Sequence, residues 1–299
     1  MTDAIYDLDK KRVRAAFDHA AASYDAHAVL QREICDRMLE RLDYVKHTPN
    51  TLLDAGAGTG YGAARLRSRY PEAHLVALDL AESMLQIARP KPSLWQRISR
   101  AAPFSAVCAD IDRLPLKTSS VDMVWSNLAL QWCNDLNVSF AEMHRVLAPN
   151  GLLMFSTFGP DTLKELRQAF NTVDGYSHVN RFVDMHDIGD VLVHAGFSTP
   201  VMDMEYITLT YDDLKTLMRE LKAIGAHNVT AGRNPGLMGR ARWQALETAY
   251  EKFRQQGRLP STYEVIYGHA WVNQKTRTAD GQQIIQMNIQ RRRTEKGLP

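Results

Sequence analysis

Cysteine is scarce: the chain of 299 residues holds Cys35, Cys108 and Cys133, far apart and without a C-x-x-C pair. That spacing argues against a disulfide framework and against a zinc site. No window approaches the roughly 18 consecutive apolar residues that span a membrane. The start carries acids at Asp3, Asp7 and Asp9 and no apolar stretch, so it does not read as a secretory signal. Internal repeats and low-complexity tracts are missing too. A formal net charge of +2 is too small to imply nucleic-acid binding by itself. The expectation is a soluble cytoplasmic protein with neither nucleic acid nor membrane as partner. Local basic clusters do exist, at Lys10, Lys11, Arg12 and Arg14 and again at Arg291, Arg292 and Arg293.

Glycine, by contrast, is concentrated where it is most informative. Residues 53–60 read Leu-Asp-Ala-Gly-Ala-Gly-Thr-Gly, behind the start of an apolar strand at Asn50–Leu53 and ahead of the helix-compatible run Tyr61–Arg69. Strand, tight glycine turn and helix is how an open α/β sheet begins a nucleotide-type ligand site. The dinucleotide pattern G-x-G-x-x-G/A fails from Gly56, because position 61 is tyrosine, and fits only in a register shifted to Gly58. The pattern D-x-G-x-G-x-G fits directly as Asp54, Gly56, Gly58 and Gly60. A carboxylate at the strand end receives an ammonium and repels a pyrophosphate. The ligand implied is cationic and amino-acid-like, and S-adenosylmethionine fits. A dinucleotide dehydrogenase stays open as the reading that rests on the shifted register.

Three further strand ends follow in order. His74–Leu78 ends in Asp79, and Leu80 to Met84 opens the next helix. An acid about 20 positions after the glycine turn is placed to accept both ribose hydroxyls. Asp110 and Ile111 follow the strand around Ala106, placed for an adenine amino group and ring. Val121–Trp125 leads into Ser126, Asn127, Gln131 and Trp132.

With these residues in place, the chain resembles the class I S-adenosylmethionine-dependent methyltransferases over about residues 48–160. The resemblance implies an α/β fold with a Rossmann-like seven-stranded sheet flanked by helices. It assigns Asp54, Gly56, Gly58 and Gly60 to the methionine part of the donor, and Asp79 with its neighbours Leu80 and Met84 to the ribose side. Asp110 and Ile111 fall to the adenine, and Asn127 to the region of the transferred methyl.

The flanks read as amphipathic helices over 10–44, joined near Tyr24-Asp25, and as helices at Thr162–Phe170, Asp184–Ala195, Tyr211–Gly225 and Arg240–Gly257. Asp161 is the expected cap of the first of these. Strands are expected at Leu152–Phe158, Met202–Thr210 and Tyr263–Val272. The chain then reads as a single domain, with the N-terminal helices and an insert over about 212–260 forming a lid. Tyr24 is expected at the sulfonium or substrate, and Gln31 at the donor's carboxylate.

Lys11-x-Val-Arg14-x-x-Phe17, Val179-Asn-Arg181-Phe182, Leu221 to Asn228 and Tyr263-Glu-Val-Ile-Tyr267 extend the resemblance over nearly the whole chain. They are similar to the malonyl-acyl-carrier-protein O-methyltransferases of biotin synthesis. Mitochondrial complex I assembly proteins of the methyltransferase class resemble the same family, and Asn273–Pro299 is outside the pattern. The implied reaction moves the donor methyl to the free malonyl carboxylate, leaving S-adenosylhomocysteine. An ionised carboxylate attacks in line without a general base, so alignment and exclusion of water suffice.

Arg181 is the preferred cation for the malonyl carboxylate, because a guanidinium binds a carboxylate as a fork; His178 is the second choice. Gln131 and Trp132 are placed on the substrate side. The expected partner is an acidic acyl carrier protein carrying the malonyl thioester, or malonyl-coenzyme A, met by Arg219, Lys222, Arg233, Arg240 and Arg242. A methyltransferase for another small acid or a quinone, and a non-methylating cofactor-binding assembly factor, remain as alternatives.

Overall fold

Residues 8–89, 104–226 and 238–273 are described by the computed structural model. Arg233, Asn228 and the basic tail with Arg291, Arg292 and Arg293 lie outside them. At the centre of the sheet, short apolar runs are buried on both faces, as parallel strands require. The strands are β1 (Thr51–Ala55), β2 (His74–Asp79), β3 (Phe104–Cys108), β4 (Val121–Asn127), β5 (Leu147–Phe158), β6 (Phe197–Tyr211) and β7 (Leu259–Val272). Their order is β3-β2-β1-β4-β5-β7-β6, with β7 antiparallel to both its neighbours and the rest of the pairs parallel.

The strand order reverses between β1 and β4. Connections leave those two strand ends in opposite directions, and a crevice opens between them where ligands bind in open α/β sheets.

Helices α1 (Lys10–His27) and α2 (Val29–Arg41) precede β1. They are followed by α3 (Tyr61–Arg69), α4 (Glu82–Ala88), α5 (Leu136–Val146), α6 (Lys164–Asn171), α7 (Met185–His194), α8 (Leu214–Ala223) and α9 (Arg240–Glu251). One apolar core gathers Leu30 and Ile34 of α2, Leu66 of α3, Phe170 of α6, Leu217 of α8 and Tyr250 of α9 with Leu52 and Trp125 of the sheet. The opposite face packs Phe140 and Met143 of α5 and Leu192 of α7 against Leu53, Val124 and Phe155. Alternation along β1 therefore puts Asp54 on the α2/α3 face, beside Leu52.

Several boundaries differ from the sequence expectation for identifiable reasons. Asp161 does not cap α6; Leu163, in the left-handed region at φ 57°, stands at that position. Asp161 instead pairs with Lys164 at 3.0 Å, while its N–H donates to Glu264 at 2.7 Å. Glu264 sits under Gly159, where a Cβ would come within 2.4 Å of it, so β7 sets the path of this loop. Asp213 caps α8 by accepting from the Thr216 N–H at 2.8 Å, which starts that helix after Tyr211 rather than at it. Strand β6 extends back to Phe197 because β7 pairs with it along that length.

Candidate functional site

The β1–α3 turn is built by glycines that do different work. Gly56, Gly58 and Gly60 have φ of 85°, 53° and 89°, a region costly for residues with a Cβ. The N–H groups of Gly56 and Ala57 donate to the Leu78 carbonyl at 2.8 and 2.9 Å, tying the turn to the end of β2. A Cβ on Gly56 would lie 2.3 Å from Ala129 Cβ, and one on Gly60 2.8 Å from the Ala88 backbone. One on Gly58 would meet nothing within 4 Å. Gly58 therefore leaves main chain open to a ligand, while Gly56 and Gly60 are packed. Chemical denaturation of the alanine variants should separate them. Gly58→Ala should cost about 1–2 kcal/mol, the left-handed strain alone, and Gly56→Ala clearly more.

A cavity of about 620 Å³ lies over this turn. Gly56, Gly58, Asp79, Leu80, Met84, Asp110 and Ile111 line one part of it, as the motif reading expects. Asp79 accepts from the Gly58 N–H at 2.8 Å and from the Ala81 N–H at 2.8 Å, one on each oxygen. Burial pushes its carboxyl above the ordinary value, and those two N–H groups work against that. Asp110 caps the turn Ile111–Arg113 and pairs with Lys10 at 2.9 Å; the same ammonium reaches Asp112 at 2.8 Å. Lys10, in the basic cluster of the sequence, thus fastens α1 across this end of the cavity. Trp132 packs edge-on against Phe17 of α1, ring centroids 5.2 Å apart, and joins Leu80 and Val13. That places Trp132 beside the Asp79 and Asp110 end rather than at the far wall.

Asp54 is 2 % exposed, and its Oδ2 has no hydrogen-bond partner. Burial, with Asp79 adding repulsion, pushes its carboxyl to about 7. Tyr24 packs with Ala81 and Met84, and burial followed by the charges of Asp79 and Asp25 keeps its phenol protonated. Asn127 is turned to a supporting role. Its Nδ2 donates to the Gln31 carbonyl at 3.1 Å and its Oδ1 accepts from Ser156 at 2.8 Å, which pins α2 to the end of β4. Gln31 Oε1 is buried without a partner. Its amide offers both an acceptor and two donors, so it suits either charged end of an amino-acid head.

The rest of the cavity is walled by Phe158, Leu166, Phe170, Phe182, Leu209 and Met218, with few polar groups among them. Leu128 and Leu163 also face it, both left-handed, at φ 51° and 57°. Gln131 lines it, with Nε2 donating to the Leu128 carbonyl at 2.7 Å. His178 is stacked on Phe170, centroids 3.8 Å apart and planes 7° apart, and its Nε2 lies 2.7 Å from Asp174 Oδ1. Burial works upward on Asp174, yet the hydrogen bonds from His178 and the Tyr176 N–H hold it below the usual carboxylate range. Arg181 is not brought to the cavity. Asn180 and Phe182 line the wall, and the side chain between them is exposed. Sequence reasoning passed over Lys10, Asn180 and Tyr263 as site residues. Their neighbours in space are far away along the chain, and spacing carries no trace of that.

The site fits an amino-acid-bearing nucleoside: an open glycine cradle, unpartnered acceptors on Asp54 and Gln31, and a carboxylate at the end of β2. Fold and site together define a class I S-adenosylmethionine-dependent methyltransferase. A model of the methyltransferase domain matches residues 53–155. The chain is 60% identical over 293 residues to malonyl-[acyl-carrier protein] O-methyltransferase of Laribacter hongkongensis, covering 96% of this chain and 98% of that one. It is 40% identical over 270 residues to the enzyme so named from Legionella pneumophila, covering 90% and 93%. The chain belongs to the malonyl-[acyl-carrier protein] O-methyltransferase family. In fold it is similar to a putative methyltransferase of Bacillus halodurans, at a TM-score of 0.56 and 18% identity, covering 80% of this chain and 99% of that one.

Proposed function

We propose that this chain methylates the free carboxylate of a malonyl thioester carried by acyl carrier protein, giving the malonyl methyl ester that starts the pimeloyl chain of biotin. The observation that carries this reading is one continuous cavity. Its lining runs from Gly58 and Asp79 to a largely apolar wall that carries His178, which pairs with Asp174 behind it, together with Asn180, Glu220 and Lys222. When bound, the donor supplies an already activated sulfonium methyl. Asp79 holds its ribose, Asp110 and Ile111 its adenine, and Asp54 and Gln31 its ammonium, while Tyr24 covers the sulfonium. Leu166, Phe170 and Phe182 strip water from the malonyl carboxylate, which leaves it a stronger nucleophile. His178, oriented by Asp174, and the Asn180 amide hold that carboxylate in line with the methyl. The α1–α2 pair and, within the insert over 212–260, the helices α8 and α9 act as the lid. Ser23 Oγ of α1 donates to the Ala223 carbonyl at the end of α8 at 3.3 Å, so the two parts already meet.

Asp54 sets a pH dependence. Its folded value, about 7, lies above the ordinary 3.8. Its neutral form thus contributes stability that is complete below about pH 4 and lost as pH rises through 7. A bound ammonium reverses the preference and favours the carboxylate. Affinity for S-adenosylhomocysteine should therefore fall as pH drops below 7, with proton release on binding, and Asp54→Asn should bind weakly with that dependence gone. Calorimetry in buffers of different ionisation enthalpy reads both effects.

The carrier meets the mouth of the cavity. On α8, Lys215, Arg219 and Lys222 are exposed at successive turns of one helix face, and Lys222 reaches the cavity lining. Their side chains make no ion pair among the described residues, unlike Arg37, Arg41, Arg69 and Arg258. Such a stripe suits an acidic carrier, because charge at an interface rim mainly speeds encounter. Lys215→Glu with Arg219→Glu should lower kcat/KM for the carrier-linked substrate about tenfold at low salt. Turnover of malonyl N-acetylcysteamine thioester, which lacks the acidic carrier, should stay within about twofold. Rescue of a biotin auxotroph lacking the methyltransferase tests the whole reading, and no growth would count against it.

A further inference from the structure

The inward stripe of α8 is apolar except at one position. Leu214, Leu217 and Ile224 are buried, and Leu221 packs beside them. Glu220 falls inside that stripe, three residues after Leu217 and four before Ile224, a spacing that puts side chains on one helix face. It lines the large cavity between Met218 and Leu221. Glu33, Glu82, Glu142 and Glu251 each pair with an arginine. Glu220 forms no ion pair among the described residues. A carboxylate on the packing face of a helix breaks the local pattern, and such breaks concentrate at functional sites.

Two phenols accompany it. Tyr211 ends β6, and Tyr263 stands on β7 opposite Ile207, so both rings leave the sheet on one face. Both line the cavity and are 7 % and 4 % exposed. Burial, then the neighbouring Tyr263 and a hydrogen bond to Glu220, hold the Tyr211 phenol well above its ordinary value, so it stays protonated. Its one proton goes to Glu220, because a carboxylate only accepts. Burial pushes the Tyr263 phenol up to about 12; Ser261 works against this and the Glu220 charge adds to it.

The bond from Tyr211 fixes Glu220 and occupies one lone pair. The others face a wall of Leu209, Met218 and Leu221, and they call for a donor. A malonyl group has none to give, since its carboxylate and its thioester carbonyl both accept, and the carboxylate would be repelled. The arm beyond the sulfur does have one: an amide N–H two methylenes away.

We propose that Glu220 receives the amide N–H of the thioester arm, so that the acyl end of the cavity reads the arm as well as the malonyl group. This rests on the malonyl thioester being the substrate. It gives the wall a direction, with the malonyl carboxylate at His178 and Asn180 and the arm toward α8.

The test compares two small substrates that lack the carrier: malonyl N-acetylcysteamine thioester and its ester counterpart, in which oxygen replaces the amide N–H. The wild type should show at least tenfold higher kcat/KM for the amide, the least that a hydrogen bond to a charged group contributes. Glu220→Leu, which completes the apolar stripe, should lose that preference while its turnover of the ester stays within twofold of wild type. Glu220→Gln keeps a neutral acceptor and should show an intermediate preference. Affinity for S-adenosylhomocysteine should stay within twofold in both variants. No preference in the wild type, as when water alone meets Glu220, overturns the proposal. So does an intact preference in Glu220→Leu, or an equal loss on both substrates. Should Glu220→Leu fail to fold, an undiminished preference in Glu220→Gln overturns it. Methylation of neither thioester, nor of malonyl acyl carrier protein, would overturn the malonyl reading instead.

Discussion

Asp79→Ala is expected to abolish useful donor binding, lowering affinity at least about 100-fold. Each oxygen of Asp79 already accepts one backbone N–H, from Gly58 and from Ala81. The remaining lone pairs are those left for the two ribose hydroxyls. A hydrogen bond to a charged group contributes about 1.5–3 kcal/mol, so two of them give roughly two to four orders of magnitude. The variant also leaves two N–H groups in a largely closed turn without acceptors, which should lower stability by about 1–3 kcal/mol. Asp79→Asn keeps one acceptor and should fall between the two. Titration with S-adenosylhomocysteine measures the first effect and urea denaturation the second; near-normal affinity in Asp79→Ala would remove Asp79 from the ribose site.

The second large effect concerns the acyl end. His178→Ala should raise KM for the malonyl thioester about 30- to 100-fold while donor affinity changes little, and Arg181→Ala should leave both within about twofold. The contrast follows from placement. His178 lines the cavity, is stacked on Phe170 and is held by Asp174 at 2.7 Å. Arg181 is exposed beside it in sequence but not in the cavity. A charge-assisted contact in an apolar wall is worth about 2–3 kcal/mol, which sets the expected factor. Steady-state kinetics with both substrates varied distinguishes this from the reverse pattern, which would return the guanidinium to the role the sequence gave it.

That reversal shows where sequence reading stops. Asp54, Asp79 and Asp110 were legible because an open α/β sheet presents its strand ends in chain order, and each acid closes a short apolar run. The sheet itself was legible for the same reason. Arg181 was misplaced because chemistry alone ranked it above histidine. The side chains of 180 and 182 face the cavity, and residue 181 between them does not. Asn127 was found, but its partners Gln31 and Ser156 lie 96 and 29 residues away, so its bracing role was hidden. Lys10 illustrates the same point, since its ion pair to Asp110 joins residues separated by 100 positions.

The most direct test is intact-mass analysis of malonyl acyl carrier protein after incubation with the purified chain and methyl-deuterated S-adenosylmethionine. The expected result is one labelled methyl per malonyl group, removed by an esterase, with an equal amount of S-adenosylhomocysteine formed. An unlabelled carrier, with the donor bound to the protein but unconsumed, would contradict methyl transfer to the malonyl carboxylate.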